Sequence, residues 1–359
     1  MTSSNTRCDV GTGILRAKLT SRLRAIRPKP SQVFVVIDRN ARQVVGRKVA
    51  LAIKDAGLEF QECVAPHGEA SKTLEKAQAL ASKLVKAGAD RRSFVLAVGG
   101  GVTSDLAGFV AANLFRGVEW GVVSTTLLGM ADASIGGKTA VNLPEGKNLF
   151  GAFHFPRLVV MDVQMLRTLP AKEWRCGLGE VLKTAMLQSP AMYRKLLGTP
   201  TSKLQRGSAE LAALVLACTR YKQKIVASDP REGGERKLLN LGHTFGHVLE
   251  ASAGPRKLVH GEAVALGLLC ALQMSVEQGL AAPRYAEEVR EFLERMGMRT
   301  TYPGKLPGKA VLRRQLLRDK KAAYGKLDVI VPVKPGANLL VQGVDVEEVL
   351  PAYGVMKNG

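Results

Sequence analysis

Residues 94–113 read FVLAVGGGVTSDLAGFVAAN. FVLAV is apolar without alternation, as in a strand buried on both faces. Gly99, Gly100 and Gly101 follow it, and VTSDLAGFVAA then repeats apolar residues at helical spacing. A strand, a glycine turn and a helix in this order present free N–H groups where a pyrophosphate can sit. The spacing is not GxGxxG, and a tight turn without a ligand is the alternative reading.

Similar runs lie on either side: VFVVID (33–38), FQECVAP (60–66), WGVVSTT (120–126) and LVVMD (158–162). The helical patterns ARQVVGRKVALAIKDAG and TLEKAQALASKLVKAGA separate the first three strands. Buried strands joined by helices predict a Rossmann-like α/β domain on a parallel sheet, assigned to residues 1–168. Asp38 ends the first of these strands, where an acid can meet a ribose hydroxyl or cap the next helix. From residue 169 onward helical periodicity takes over, through GLGEVLKTAML, AELAALVLACTRYKQKIVA, GHTFGHVLEAS and GEAVALGLLCALQMSVEQGL. Residues 169–359 are therefore expected to form an α-helical domain, ending in a last helix and a small tail, LDVIVPV.

The composition is globular, with 46% hydrophobic and 23% charged residues. No run of 18 apolar residues is present, so no membrane partner is expected. Cys8, Cys63, Cys176, Cys218 and Cys270 are scattered without a CxxC pair, which fits a reducing, cytoplasmic setting. The net charge of +21 would attract polyanions. No helix-turn-helix, RNP or zinc-finger spacing accompanies it, so no nucleic-acid partner is expected and the charge is read as solvated surface. Seven basic residues crowd the first thirty, but Ile14, Leu15, Leu19, Leu23 and Ile26 repeat at helical spacing. That stretch is read as a basic amphipathic helix of the fold, without a secretory h-region.

Residues 124–156, STTLLGMADASIGGKTAVNLPEGKNLFGAFHFP, mix hydroxyls, glycine turns and the polar anchors Asp132, Lys138, Lys147 and Asn148. Such a segment between strands suits a binding loop, and lysines beside glycines suit phosphate or carboxylate. In the helical half, three of the five histidines fall in LLNLGHTFGH and KLVHGEAVALG: His243, His247 and His260. His243 and His247 share one helix face at i,i+4. Glu180, with Lys183 a turn later, could join two histidines as a catalytic zinc site with an open position. The residues alone leave open which two histidines join it, and the i,i+4 pair is the naive choice.

Together these stretches resemble the 3-dehydroquinate synthases. The pieces are PHGEASKT, VGGGVTSDLAGFVAANLFRG, the segment 124–156, LRTLPAKEWRCGLGEVLK, NLGHTFGHVLEA, VHGEAVALG and LRDKK, between about residues 33 and 322. The resemblance implies an NAD-binding α/β domain and a helical metal-binding domain. It implies Glu180, His243 and His260 as ligands of zinc, or of cobalt in its place. Asp132, Lys138, Asn148, Lys183, Lys222, Glu232, Arg236, Asn240, His247, Lys320 and Lys321 then correspond to contacts of a sugar-phosphate substrate. Arg116 corresponds to an arginine reaching the partner subunit's site in a homodimer. Asp38, Glu69, Lys72, Gly100, Gly101, Asp105, Thr125 and Thr126 correspond to NAD contacts, with Lys138 and Lys147 beside them.

The implied reaction converts 3-deoxy-D-arabino-heptulosonate 7-phosphate to 3-dehydroquinate and phosphate, a carbon–oxygen lyase step of the shikimate route to aromatic amino acids. Departures from the usual pattern are Ser104 for Gly, Ser124 for Pro, Met130 for Gln, Ala133 for Ser and Phe155 for Gln, with a shortened opening strand pair. The alternatives are a related cyclase (amino-dehydroquinate, 2-deoxy-scyllo-inosose or valiolone synthase), a metal-dependent polyol dehydrogenase, or a basic nucleic-acid-binding protein. The valiolone and inosose types usually alter GGKT, which this chain keeps, and the dehydrogenases lack GGKTAVN.

Overall fold

A computed structural model describes residues 6–65, 68–204, 206–254, 257–318 and 326–356. The chain divides into two compact units, residues 1–170 with 205–231, and residues 171–204 with 232–359.

The first unit is built on six parallel strands: β1 (Arg7–Gly11), β2 (Val33–Asp38), β3 (Phe60–Ala65), β4 (Phe94–Gly99), β5 (Glu119–Ser124) and β8 (Leu158–Asp162). Their order is β1-β8-β5-β4-β2-β3. Every residue of β4 and β8 is buried, as their unbroken apolar runs require. Each such Val, Leu or Ile contributes roughly 1.5–3 kcal/mol on leaving water. The helices of this unit are α1 (Leu15–Arg24), α2 (Arg39–Asp55), α3 (Leu74–Lys86), α4 (Gly101–Asn113) and, after the excursion into the second unit, α7 (Ala209–Ser228). The basic N-terminal stretch forms α1, burying Leu15, Leu19 and Leu23. Chain order and sheet order part company at β2 and β4, so the carboxyl ends of these two strands flank the switch point where ligands bind such sheets.

The segment expected as a binding loop is instead largely an antiparallel hairpin, β6 (Lys138–Leu143) paired with β7 (Gly146–Phe153). None of β7 is buried, so it offers no alternating apolar face. Before it, Gly129–Ala133 makes a π-type turn that carries Asp132. Turns of this kind recur at functional sites.

The second unit contains α5 (Ala171–Gln188), α6 (Pro190–Gly198), α8 (His243–Ala253), α9 (His260–Glu277), α10 (Pro283–Arg295) and α11 (Lys309–Arg318). It also holds the hairpin of β9 (Lys326–Lys334) and β10 (Ala337–Asp345), of which LDVIVPV is one strand. Gly261–Leu272 of α9 is buried without interruption, which makes this helix the axis of the unit. Helices α5, α8 and α10 pack around it.

Candidate functional site

In the first unit, the turn after β4 is closed to side chains at Gly99 and Gly100. A Cβ on Gly99 would lie 2.7 Å from Thr103 Oγ1, and one on Gly100 would lie 2.8 Å from Thr126 Cγ2. The N-terminus of α4, beginning at Gly101, has no side-chain cap. Ser104, where the resembling pattern has Gly, donates its hydroxyl back to the Gly101 carbonyl at 3.0 Å. Its side chain is buried within the first helical turn. Across the switch point, Asp38 Oδ1 caps α2 by accepting from the N–H groups of Asn40 and Ala41. Thr125 and Thr126, at the end of β5, are partly exposed.

One polar network joins the segment after β3, α4 and the β6–β7 hairpin. The buried Lys72 ammonium meets Asp105 Oδ2 at 2.5 Å and also contacts Asn148 Oδ1. Burial pushes the Asp105 carboxyl up, and the Lys72 charge pulls against that. Asn142, which no motif singles out, ties the network together. It donates to Glu69 Oε1 at 2.8 Å and accepts from the Asn148 N–H at 2.9 Å. Asn148 holds a left-handed φ of 57°, a conformation Asn tolerates better than most residues. Nearby, the buried Lys222 of α7 reaches Asp132 Oδ1 at 2.7 Å and its carbonyl at 2.8 Å. Lys138 and Lys147 are exposed on the hairpin. Arg116 is exposed in a turn where it and Phe115 both have positive φ, 68° and 51°.

In the second unit, three helices converge. Glu180 of α5 is fully buried. Its Oε1 lies 3.4 Å from His260 Nε2 and 3.6 Å from His243 Nε2. Among the described residues these three form the one His/Cys/Asp/Glu group able to hold a metal, with ligand atoms within 4.8 Å of one another. Two ligands each 2.0–2.1 Å from a tetrahedral zinc ion stand about 3.3 Å apart, so the donor set fits. The outer nitrogens are engaged as well. His243 Nδ1 faces the Leu241 carbonyl at 3.3 Å, and His260 Nδ1 faces Glu250 Oε2 at 3.1 Å. Donation from each Nδ1–H would put the ring lone pair on Nε2, the nitrogen that faces Glu180. Lys183 Nζ lies 2.5 Å from Glu180 Oε2, the other oxygen of the same carboxylate.

Burial works against a charge on His260, but hydrogen bonds and attraction from Glu180 and Glu250 outweigh it, so the metal-free ring is pushed up to about 10. A divalent cation would replace that proton as the charge balancing the two carboxylates.

The naive i,i+4 pair is thus not the pair that meets Glu180. His247 is exposed on α8, its ring 5.3 Å from that of His243 and 6.0 Å from that of His260. Asn240 donates to Glu232 Oε1 at 2.6 Å, and Arg236 is 1% exposed. Glu250 was missed. It sits seven residues after His243, two helical turns along the same face, and that spacing was the available signal. Lys320 and Lys321 lie outside the described residues.

Two family models match the chain: 3-dehydroquinate synthase N-terminal over residues 62–176, and 3-dehydroquinate synthase C-terminal over 177–322. A relative from Symbiobacterium thermophilum, named 3-dehydroquinate synthase, is 42% identical over 91% of this chain and 91% of its own. Another of that name, from Rhodospirillum rubrum, is 40% identical over 95% of this chain and 89% of its own. A solved structure of 2-epi-5-epi-valiolone synthase from Streptomyces hygroscopicus, with NAD+ and Zn2+ bound, superposes with a TM-score of 0.87. It is 26% identical and covers 98% of this chain and 96% of its own. By sequence along most of its length, the chain belongs to the 3-dehydroquinate synthase family.

Proposed function

We propose that this protein converts 3-deoxy-D-arabino-heptulosonate 7-phosphate into 3-dehydroquinate and phosphate, through oxidation, phosphate elimination, reduction and intramolecular aldol closure. It is a carbon–oxygen lyase of aromatic amino acid biosynthesis, working as a cytoplasmic homodimer. The observation that carries the reading is the convergence of Glu180, His243 and His260 in a chain about 40% identical to enzymes of this name.

Bound zinc would supply Lewis acidity, lowering the pKa of a substrate hydroxyl. Bound NAD would supply a hydride acceptor and return the hydride later, so that it is not consumed. The chain's own groups do the holding. Glu180, His243 and His260 present three donors, Lys183 fixes the Glu180 carboxylate, and Glu250 fixes the His260 ring. Asp38, Glu69, Lys72, Gly100, Gly101, Asp105, Thr125 and Thr126 are assigned to the dinucleotide, with Lys138 and Lys147 beside them. The position of the glycine turn at the switch point of the sheet supports this. Asp132, Lys138, Asn148, Lys183, Lys222, Glu232, Arg236, Asn240, His247, Lys320 and Lys321 are assigned to the substrate, and Arg116 to the partner's site. Cations among them suit a phosphate and a carboxylate, holding one orientation through several steps.

The likeness to a 2-epi-5-epi-valiolone synthase favours a second reading, a related cyclase, for which sedoheptulose 7-phosphate is the sugar phosphate to offer. Purified protein with NAD⁺ and Zn²⁺, offered each sugar phosphate in turn, decides. Phosphate release from the heptulosonate alone supports the proposal; release from sedoheptulose 7-phosphate alone overturns it.

A further inference from the structure

Each residue of the metal group is chain-adjacent to a glycine whose backbone is pressed against another helix. Glu180 follows Gly179, His243 follows Gly242, and His260 precedes Gly261. At the α5–α9 crossing, a Cβ on Gly179 would stand 2.1 Å from the Gly261 carbonyl oxygen. One on Gly261 would stand 1.7 Å from the Cys176 carbonyl oxygen. Gly261 N–H also donates to Cys176 Sγ at 3.3 Å, which fixes the first turn of α9 against α5. At the α8–α9 crossing, a Cβ on Gly267 would stand 2.0 Å from the Gly242 carbonyl oxygen. The blocking atoms in these three contacts are backbone, so no side-chain rotation relieves them. These contacts go beyond ordinary close packing, which needs only small residues at the interface.

We infer that these two crossings are the gauge of the metal centre: Gly179, Gly261, Gly242 and Gly267 are positioning residues that set the spacing of Glu180, His260 and His243. The inference rests on the metal reading above. Adding one methyl at Gly179 requires α5 and α9 to separate by about 1 Å to restore normal contact. A metal site tolerates errors of about 0.2 Å in its bond lengths. The displacement falls between Glu180 and His260, whose ligand atoms are 3.4 Å apart. Metal affinity therefore suffers out of proportion to stability.

The test compares Gly179→Ala with the parent chain, both stripped of metal. It measures Zn²⁺ affinity by chelator competition, the visible spectrum of the Co²⁺ form, the metal-free melting curve, and kcat and KM separately. The expected result is a cooperative metal-free melt, Zn²⁺ affinity lowered 10–100-fold, roughly the scale of losing an outer contact to a ligand, and an altered Co²⁺ spectrum. kcat falls while KM holds. Gly198→Ala, where an added Cβ would meet no other described residue within 4 Å, should keep the parent affinity. If Gly179→Ala does not fold, Gly246→Ala carries the same test. Its added Cβ meets the Ala263 carbonyl oxygen at a gentler 2.8 Å. A folded variant with parent affinity and parent Co²⁺ spectrum overturns the inference. So does failure of both variants to fold in excess Zn²⁺, since the crossings would then be structural alone. Glu180→Gln separates the two levels. Unchanged affinity there refutes the metal reading itself, whereas loss there with no effect at the glycines refutes only the gauge.

Discussion

Removing the charge of Glu250 should weaken metal binding without touching a ligand. Its Oε2 lies 3.1 Å from His260 Nδ1, and it is the side chain that fixes which way that ring points. Its carboxylate is 12% exposed, so water competes poorly for the same bond. A hydrogen bond to a charged group is worth about 1.5–3 kcal/mol, roughly twice a neutral one. Glu250→Gln keeps an acceptor of the same length and loses the charge, so about 1 kcal/mol is lost, near fivefold in affinity. Glu250→Ala removes the acceptor and should reach 10–100-fold, the usual range for a partner of a metal-bound histidine. The assay is chelator competition for Zn²⁺ at fixed pH, with melting curves showing that both variants fold. The graded order parent, Gln, Ala is the expected result. Affinities for both variants within about twofold of the parent would refute the reasoning.

Three further outcomes follow from the first unit. Lys138→Ala should lower kcat/KM at least about 10²-fold, the scale expected when a substrate-positioning contact is lost. Lys138 is exposed, so the melting temperature should stay put, and near-normal turnover would remove its assigned role. Gly108→Ala should destabilise by about 1–3 kcal/mol through overpacking. Its Cβ would lie 2.5 Å from Thr139 Cγ2 and 2.7 Å from the Trp120 ring, and denaturant unfolding measures the loss. Burial holds His154 below its ordinary value of 6.5, against the raising effects of the Val118 carbonyl and Glu119. The unfolded chain therefore binds the extra proton first, and the stability from this neutral ring is present above pH 6.5 and lost as pH falls through the folded value. His154→Gln should flatten that part of the acid slope of the melting temperature; an unchanged slope counts against it.

The sequence announced its buried strands because unbroken apolar runs such as FVLAV and LVVMD have few other places to go. It did not announce β1, five residues of RCDVG whose place comes only from pairing with β8. The hairpin β6–β7 has the sequence pattern of a loop, because glycines and lysines interrupt it and β7 buries no face. The site was legible as a set of residue types, since histidine is scarce in this chain and three fall close together. The grouping was not, because Glu180 and His260 lie 80 positions apart and only the crossing of α5 and α9 brings them together. Periodicity says which face a residue occupies; it does not say which helix that face meets.

The proposed reaction is decided by following phosphate and 3-dehydroquinate together, with the heptulosonate phosphate in excess over NAD⁺, before and after chelation. The expected result is equal amounts of both products far beyond the NAD⁺ supplied, no net NADH, and loss of both on chelation with recovery on adding Zn²⁺. Accumulating NADH without phosphate, or turnover indifferent to chelator, would contradict it.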